Sequence, residues 1–125
     1  MAKIIFIEDE PALQKILGGF LRDLGYNVTS AMDGEAGLAL IKKERPDLVL
    51  LDLILPKKSG LEMLEEMRSD NSTSSIPVIV LTNVESSESV EGALRLGAKA
   101  YLVKTNYSLD EVLEKIKNVL GQDAS

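Results

Sequence analysis

The apolar residues of this chain form short unbroken runs that alternate with stretches where they recur every three or four positions. Short runs rich in β-branched residues predict strands, whereas a repeat of three to four predicts helices. Because the runs do not alternate with polar residues, we expect the strands to be covered on both faces, as in a parallel sheet. The predicted strands are residues 3–7, 27–31, 48–52, 78–81 and 100–103.

Each predicted strand is followed by a stretch of helical period, so five helices are expected. In the first helix the apolar residues recur at three and four positions, and Gly25 is the expected stop. This repeat comprises Leu13, Ile16, Leu17, Phe20, Leu21 and Leu24. The second and third helices begin at the capping residues Asp33 and Ser59 and run to about Lys43 and Arg68.

The last two predicted helices differ in how strongly the sequence supports them. The fourth, residues 85–96, carries three early serines and the interior Gly92, which weaken a helix. Its main apolar anchors are Val90, Ala93 and Leu94. The fifth, residues 109–120, has apolar residues along one side and a capping box formed by Ser108 and Glu111.

Five βα units with short connections predict an α/β fold, in which helices cover both faces of a five-stranded parallel sheet. Right-handed crossovers make the doubly wound strand order 2-1-3-4-5 the expected one. We expect one domain over residues 1–121 and a short tail at 122–125. In this order the topological switch point lies between the first and third strands, where open α/β sheets bind their ligands.

Three acidic residues directly follow the first and third apolar runs. Glu8 and Asp9 come after residues 4–7, and Asp52 comes after residues 48–51. Because a buried carboxylate without a partner is costly, we expect the three acids to share one crevice and one cation. Oxygen ligands without histidine or cysteine select a hard ion, and Mg²⁺ is the expected one. The alternative is a rim of acids that are solvated separately.

Two further residues stand at the ends of the fourth and fifth predicted strands. Thr82 follows Leu81, and Lys104 follows Val103, so both side chains should meet the same crevice from its other side. Alone, the threonine is an ordinary strand end and the lysine an ordinary surface residue. Together with three acids and a metal, a hydroxyl and an ammonium group would form a phosphoryl-binding set, with an Asp oxygen as the nucleophile.

The composition narrows the chemistry further. The 125 residues include no histidine and no cysteine, which excludes Ser-His-Asp and Cys-His catalysis, disulfides and zinc sites built on these residues. Any phosphohistidine in this chemistry must therefore belong to a partner. The net charge of −6 argues against nucleic-acid binding by this chain itself. Without a long apolar run or a signal-peptide pattern, we expect a cytoplasmic setting and no membrane contact.

The chain resembles the receiver domains of two-component response regulators, including single-domain, chemotaxis-regulator-like ones. The resemblance covers almost the full length, and it is specific because five stretches occur in the right order and spacing. They are residues 5–11, 46–56, Gly60, 76–82 and 97–104. The resemblance implies a flavodoxin-like fold and a phosphoryl group passed to the chain by a sensor histidine kinase or a phosphotransfer protein.

The resemblance also implies a role for each candidate residue. Asp52 would be phosphorylated, and Thr82 and Lys104 would contact the phosphoryl group. The Mg²⁺ ligands would be Asp9, Asp52, the backbone carbonyl of Ile54 and, through water, Glu8. The chemistry would be self-catalysed phosphotransfer and slow autodephosphorylation, so no metabolic enzyme is expected.

Tyr101 would be the switch residue of such a domain, turning inward when Thr82 moves toward the phosphate. An ordinary half-buried strand tyrosine explains Tyr101 equally well from the sequence alone. If Tyr101 is a switch residue, the face formed by the fourth helix, fifth strand and fifth helix would bind a downstream effector protein. The sequence leaves open whether phosphorylation also promotes a homodimer, and whether the chain is a fragment of a longer regulator.

Four residues depart from the pattern of the family. Glu8 replaces an aspartate but keeps the charge, and Asn83 is larger than the usual residue after the threonine. Thr105 follows Lys104 where the family has a proline after a cis bond, so this bond is either a costly cis or a trans one. Ile54 has no polar side chain to position a hydrolytic water, which predicts slow loss of phosphate.

Three other classes of protein are the alternatives to a receiver domain. A pseudo-receiver that binds proteins without accepting phosphate is favoured only by Asn83 and Thr105. A hydrolase with an aspartyl-phosphate intermediate would need a second aspartate two residues after Asp52, where Ile54 stands. A flavin-binding flavodoxin would not place acids in the loop after the first strand, because they repel the flavin phosphate.

Overall fold

A computed structural model describes residues 2–122 and contains the predicted five-stranded parallel sheet. The strand order is 2-1-3-4-5, so the doubly wound prediction is confirmed. The third strand ends one residue earlier than predicted and the fourth ends one residue later. The strands are β1 (Lys3–Ile7), β2 (Asn27–Ala31), β3 (Leu48–Leu51), β4 (Val78–Thr82) and β5 (Ala100–Val103).

Within residues 2–122, five helices connect or follow the strands. The first, α1, combines an α-helical turn (Pro11–Leu13), a π-helical segment (Gln14–Gly18) and a second α-helical segment (Gly19–Asp23). The others are α2 (Gly34–Glu44), α3 (Gly60–Ser69), α4 (Ser87–Arg95) and α5 (Leu109–Val119), and a 3₁₀ turn (Lys104–Asn106) follows β5. In the described part of the chain no helix is long and apolar enough to cross a membrane.

The sheet separates two hydrophobic layers because alternate residues of a strand point to opposite faces. In β1, Ile5 and Ile7 pack on one side with residues of α2, α3 and α4, whereas Ile4 and Phe6 pack on the other with residues of α1 and α5. β3 and β4 are buried along their whole length. Their continuous apolar runs are thus explained by coverage on both faces.

The helix ends follow the local sequence. Asp33 caps α2 by accepting a hydrogen bond from the backbone N–H of Ala36, and Ser59 caps α3. Ser108 and Glu111 form the predicted capping box of α5, in which each side chain accepts from the other's backbone N–H. The predicted tail at 122–125 lies outside the described residues except for Gln122.

The predicted apolar stripe of α1 is only partly correct. Ile16 is 56% exposed and Leu24 is 47% exposed, whereas Leu17 and Leu21 are buried. The buried residues of α1 stand at positions 14, 17, 18 and 21, the ordinary helical spacing i, i+3, i+4 and i+7, so the face toward the core is centred between Gln14 and Leu21 and leaves Ile16, in the π-helical segment, outside it. The buried residue at the start of this segment is the polar Gln14, which the hydrophobic pattern does not predict.

The fourth helix is shorter and less anchored than predicted. It begins after Ser86, which caps it, and it buries Ala93 completely. Leu94, however, is 51% exposed, so its prediction as an anchor is wrong. Leu96, just beyond the helix, packs against the core instead. Two leucines stand near the end of α4, and only the side chain of Leu96 points toward the core, where it is partly buried.

Candidate functional site

The predicted site residues meet at the carboxyl edge of the sheet. Ile7 of β1 pairs with Leu51 of β3, so the residues that follow them, Glu8 and Asp52, leave the sheet side by side. Thr82 pairs with Val103 across β4 and β5, which brings Lys104 to the same edge. The crevice at this edge is lined by Asp9, Glu10, Asp52, Ile54, Thr82, Asn83, Val84 and Lys104.

The three predicted acids form one cluster. Carboxylate oxygens of Glu8, Asp9 and Asp52 all lie within 4.8 Å of one another, with Glu8 and Asp52 buried and Asp9 exposed. Three negative charges this close repel one another unless positive charge is nearby. The donor set consists only of oxygen atoms, which is the set that a hard divalent cation such as Mg²⁺ prefers. The residues present therefore fit a magnesium ion.

Lys104 supplies positive charge to the cluster. Its Nζ lies 2.8 Å from Oδ2 of Asp52, 2.6 Å from Oε1 of Glu8 and 3.7 Å from Oε1 of Glu10. Burial raises the pKa of Glu8, and the nearby Asp52 adds to this, while Lys104 acts against it. Burial disfavours the charged form of Lys104, but its hydrogen bond to Asp52 and its ion pair with Glu8 outweigh that cost and raise its pKa.

Backbone N–H groups hold the two buried carboxylates from the other side. Ile54 donates to Oδ1 of Asp52 at 3.2 Å, and Glu10 donates to Oε2 of Glu8 at 2.9 Å. Each buried carboxylate thus has a lysine at one oxygen and a backbone donor at the other. This arrangement fixes the orientation of the Asp52 carboxylate, which is the kind of electrostatic preorganisation that active sites use.

The loop after Asp52 is held in place by two close backbone approaches that only glycine allows. A Cβ atom at Gly60 would lie 2.4 Å from the Asp52 carbonyl oxygen, and one at Gly34 would lie 2.0 Å from that of Lys58. Gly60 also donates to the Leu53 carbonyl at 2.9 Å. The side chain of Ile54, between these contacts, is 66% exposed and offers no polar atom to the crevice.

Thr82 and Tyr101 converge on one residue, Val84. The buried Oγ1 of Thr82 accepts from the Val84 N–H at 3.4 Å, and the Tyr101 hydroxyl donates to the Val84 carbonyl at 2.6 Å. Burial raises the pKa of Tyr101, with smaller contributions from Asp52 and Glu85. The predicted switch pair is therefore connected through the backbone that leads into α4.

The two unusual neighbours of the site have different consequences. No peptide bond in residues 2–122 is cis, so the Lys104–Thr105 bond is trans, and Lys104 begins a short 3₁₀ turn. The lysine nevertheless reaches Asp52, so the missing proline does not prevent the contact. Asn83 is exposed at the rim of the crevice.

Sequence reasoning missed two residues that shape the site. Glu10 donates its N–H to Glu8 and brings a fourth carboxylate near Lys104, and its place in the acidic run 8–10 could have indicated this. Gln14 donates to the Glu8 carbonyl from inside the protein. No signal in the sequence separates Gln14 from the exposed polar residues of a helix.

The fold and site together define a class: a doubly wound α/β protein with an acidic, lysine-bearing crevice at its topological switch point. The family model for the response regulator receiver domain matches residues 4–117. The chain belongs to this family, as the resemblance implied.

Individual relatives agree with this assignment. The chain is 40% identical over 118 residues to a probable transcriptional regulator, ycf27, of Porphyridium aerugineum, covering 94% of this chain and 48% of the relative. It thus spans about half the length of this relative, and the same holds for other transcriptional regulators that it matches.

Solved structures extend the comparison to the fold. A CheY-like receiver domain protein from Methanospirillum hungatei superposes with a TM-score of 0.90 at 31% identity, covering 97% of this chain and 94% of that one. The receiver domain of a Pseudomonas aeruginosa sensor histidine kinase superposes with a TM-score of 0.87 at 29% identity, covering 97% and 98%. That structure is described with a magnesium ion coordinated in its active site cleft.

Proposed function

We propose that this chain is a phospho-accepting switch, which takes a phosphoryl group onto Asp52 from a phosphohistidine of a sensor histidine kinase or phosphotransfer protein. The observation that carries the proposal is the buried Asp52 carboxylate, held between the Lys104 ammonium and the Ile54 N–H beside two further acids. The phosphohistidine must belong to the partner, because this chain contains no histidine.

In the proposed transfer, a carboxylate oxygen of Asp52 forms a bond to phosphorus as the phosphorus–nitrogen bond of the phosphohistidine breaks. The imidazole nitrogen keeps the electron pair of that bond, and the phosphoryl group ends on Asp52 as an acyl phosphate. Lys104 neutralises negative charge on the phosphoryl oxygens, and the Thr82 hydroxyl donates a hydrogen bond to one of them. The reaction is self-catalysed and serves signalling rather than metabolic turnover.

Asp9, Asp52 and the backbone carbonyl of Ile54 would hold Mg²⁺ directly, and Glu8 would hold it through water. When bound, the ion supplies positive charge that offsets the phosphoryl oxygens and the clustered carboxylates. Support for this assignment comes from the all-oxygen donor set and from the related receiver domain described with magnesium.

The proposed output surface is the face formed by α4, β5 and α5. It is supported by the hydrogen bonds that join Thr82 and Tyr101 to Val84 just before α4. If Thr82 turns toward a phosphoryl group, it releases the Val84 N–H. Of the two hydrogen bonds, only that of the Tyr101 hydroxyl to the Val84 carbonyl then holds the segment before α4, which can move more easily. The effector is a protein that recognises this face. Whether phosphorylated chains also pair on it is testable by light scattering on the phosphorylated protein.

A pseudo-receiver that never accepts phosphate is the weaker candidate. Two residues favour it, and the first, Thr105, does not keep Lys104 from contacting Asp52. Asn83 is the other, and its side chain stands at the exposed rim of the crevice. The proposal therefore favours a working phosphorylation site.

Intact-mass measurement after incubation with acetyl phosphate and Mg²⁺ tests the proposal. We expect the mass to increase by one phosphoryl group in the wild type and in the matched control Asp23→Asn, an exposed aspartate of α1. The Asp52→Asn variant should gain none. A wild type without an adduct at saturating acetyl phosphate, or an Asp52→Asn variant that still gains one, would contradict it.

The lifetime of the adduct tests the expectation for Ile54. Its exposed apolar side chain holds no water for attack on the phosphorus, so the wild type should lose its phosphate slowly. Replacement by a polar residue of similar length, Ile54→Gln, should shorten the half-life by about tenfold, which is less than the roughly 10²–10⁴-fold effect of a positioned general base, because an amide can orient the water but cannot take its proton. Equal half-lives of the wild type and the variant would mean that Ile54 is not the cause of slow dephosphorylation.

A further inference from the structure

Gln14 is a buried polar side chain that the proposed function leaves unused. It is 8% exposed and lies in the π-helical segment of α1. Its Nε2 is within hydrogen-bond distance of three backbone carbonyls: those of Phe6 at 3.0 Å, Glu8 at 3.1 Å and Ala31 at 3.1 Å. Three surrounding acceptors require the amide nitrogen, rather than the oxygen, to face them.

The position of this amide matters because the Glu8 carbonyl belongs to the peptide bond that leads into Asp9. The same residue is held on its other sides as well. Its N–H donates to the Ala31 carbonyl at 3.0 Å, and its carboxylate contacts Lys104 and the Glu10 N–H. Gln14 therefore completes a set of contacts that fixes Glu8 and, through the shared peptide plane, the start of Asp9.

Stability alone does not explain a glutamine at this position. Its Oε1 is buried and has no hydrogen-bond partner among residues 2–122, and a buried acceptor without a partner destabilises the folded state. The neighbouring buried positions of the same helix are the leucines Leu17 and Leu21. What the glutamine offers and a leucine cannot is the pair of amide donors at the carboxyl ends of β1 and β2.

We infer that Gln14 is a positioning residue that orients the Glu8–Asp9 segment for Mg²⁺ binding. The inference rests on the proposed function, since it concerns the same metal ligands. Gln14 touches neither the metal nor the phosphoryl group. It acts through the backbone of Glu8, as residues behind metal ligands commonly do, and losing such a residue typically weakens metal binding about 10- to 100-fold.

The test compares Mg²⁺ affinity with folding stability in the full chain. Gln14→Met keeps the approximate shape and removes the donors, whereas Leu17→Ala, in the same π-helical segment, removes buried apolar volume and no donor. Mg²⁺ affinity is measured by isothermal titration, and stability by urea unfolding. We expect Gln14→Met to bind Mg²⁺ about 10- to 100-fold more weakly and Leu17→Ala to bind it like the wild type, although it is destabilised.

Two results would overturn the inference while leaving the proposed function intact. One is wild-type Mg²⁺ affinity in Gln14→Met, and the other is an equal loss of affinity in Leu17→Ala, which would make the effect one of general stability. A wild type that binds no Mg²⁺ would instead contradict the metal site itself, and the inference with it.

A measurement on the wild type covers the case in which Gln14→Met does not fold. The side-chain NH₂ protons of Gln14 should be protected from exchange, and their NMR signals should shift on addition of Mg²⁺ alone. The amide signal of Asp9 should shift in the same titration. If the Asp9 amide shifts while the Gln14 NH₂ signals stay unchanged, Mg²⁺ binding is not coupled to Gln14, and the inference is overturned.

Discussion

The helices on either side of β5, α4 and α5, are attached to the protein in different ways. Along α5, Val112 and Ile116 are buried, and further apolar residues of the helix pack against the same layer. Along α4, only Ala93 is buried, and Leu94 faces solvent. A helix with few buried apolar contacts opens at low free-energy cost. The comparison indicates that, within the proposed output face, α4 is the part that can change and α5 the part that stays.

Hydrogen bonds at the two ends of α4 attach the helix to the protein, because few apolar contacts do so along its length. Before the helix, the Tyr101 hydroxyl holds the Val84 carbonyl, and after it, Nε of Arg68 donates to the Leu96 carbonyl at 2.6 Å. A single hydrogen bond at a helix end can be replaced without breaking the others. Moving a helix whose apolar face is packed against the core, in contrast, disrupts many contacts at the same time. A helix held at its ends is therefore suited to respond to one side chain, such as Thr82.

The largest expected effect is on the packed helix. Ile116→Ala removes a fully buried side chain from α5 and should lower the free energy of unfolding by about 2–5 kcal/mol. The matched change in α4, Leu94→Ala, removes an exposed leucine and should cost less than about 0.5 kcal/mol. Urea unfolding of both variants provides the comparison. Similar losses would mean that the two helices are anchored alike.

The next effect concerns the C-terminal attachment of α4. Arg68→Leu removes the donor to Leu96 and also those to the carbonyls of Ser74 and Ile76, so we expect a loss of about 1–3 kcal/mol. Amide hydrogens near the end of α4 should exchange faster, and those of α5 should not. Arg95→Leu, at an exposed position of α4, is the control and should leave both helices unchanged.

The sheet and the acidic cluster were predictable for one shared reason. Apolar runs identify buried parallel strands, and the residue after such a strand must lie at the carboxyl edge, so Asp52, Thr82 and Lys104 were located by counting along the chain. Gln14 and Leu94 were not, because their burial depends on which way a helix face turns. In α1 the buried face includes the polar Gln14 and the glycine Gly18 and leaves the apolar Ile16 outside it, so hydrophobicity alone does not identify that face.

A smaller effect is expected at the N-terminal attachment of α4. Tyr101→Phe keeps the ring and removes the hydroxyl that donates to Val84, which should cost about 0.5–1.5 kcal/mol. Hydrogen exchange should accelerate for the amides at the start of α4 and remain the same in α5. Tyr107→Phe, at a tyrosine that packs against the other hydrophobic layer, provides a control with the same chemical change. Uniform acceleration through both helices would show that Tyr101 supports the domain as a whole.

The smallest effect should have the opposite sign, because it makes α4 more like α5. Gly92 lies inside α4, and a Cβ atom there would meet Leu61 at 3.8 and 4.0 Å, which is ordinary van der Waals contact. Alanine also loses less backbone entropy than glycine on entering a helix, so Gly92→Ala should stabilise the protein by about 0.5–1 kcal/mol. Hydrogen exchange in α4 should slow, while Asp52 should still accept phosphate from acetyl phosphate. If the low stability of α4 serves the switch, a phosphoryl mimic should then change the exchange of α4 less than in the wild type. An unchanged response would mean that α4 moves as a rigid unit, and that its ends rather than its length control the signal.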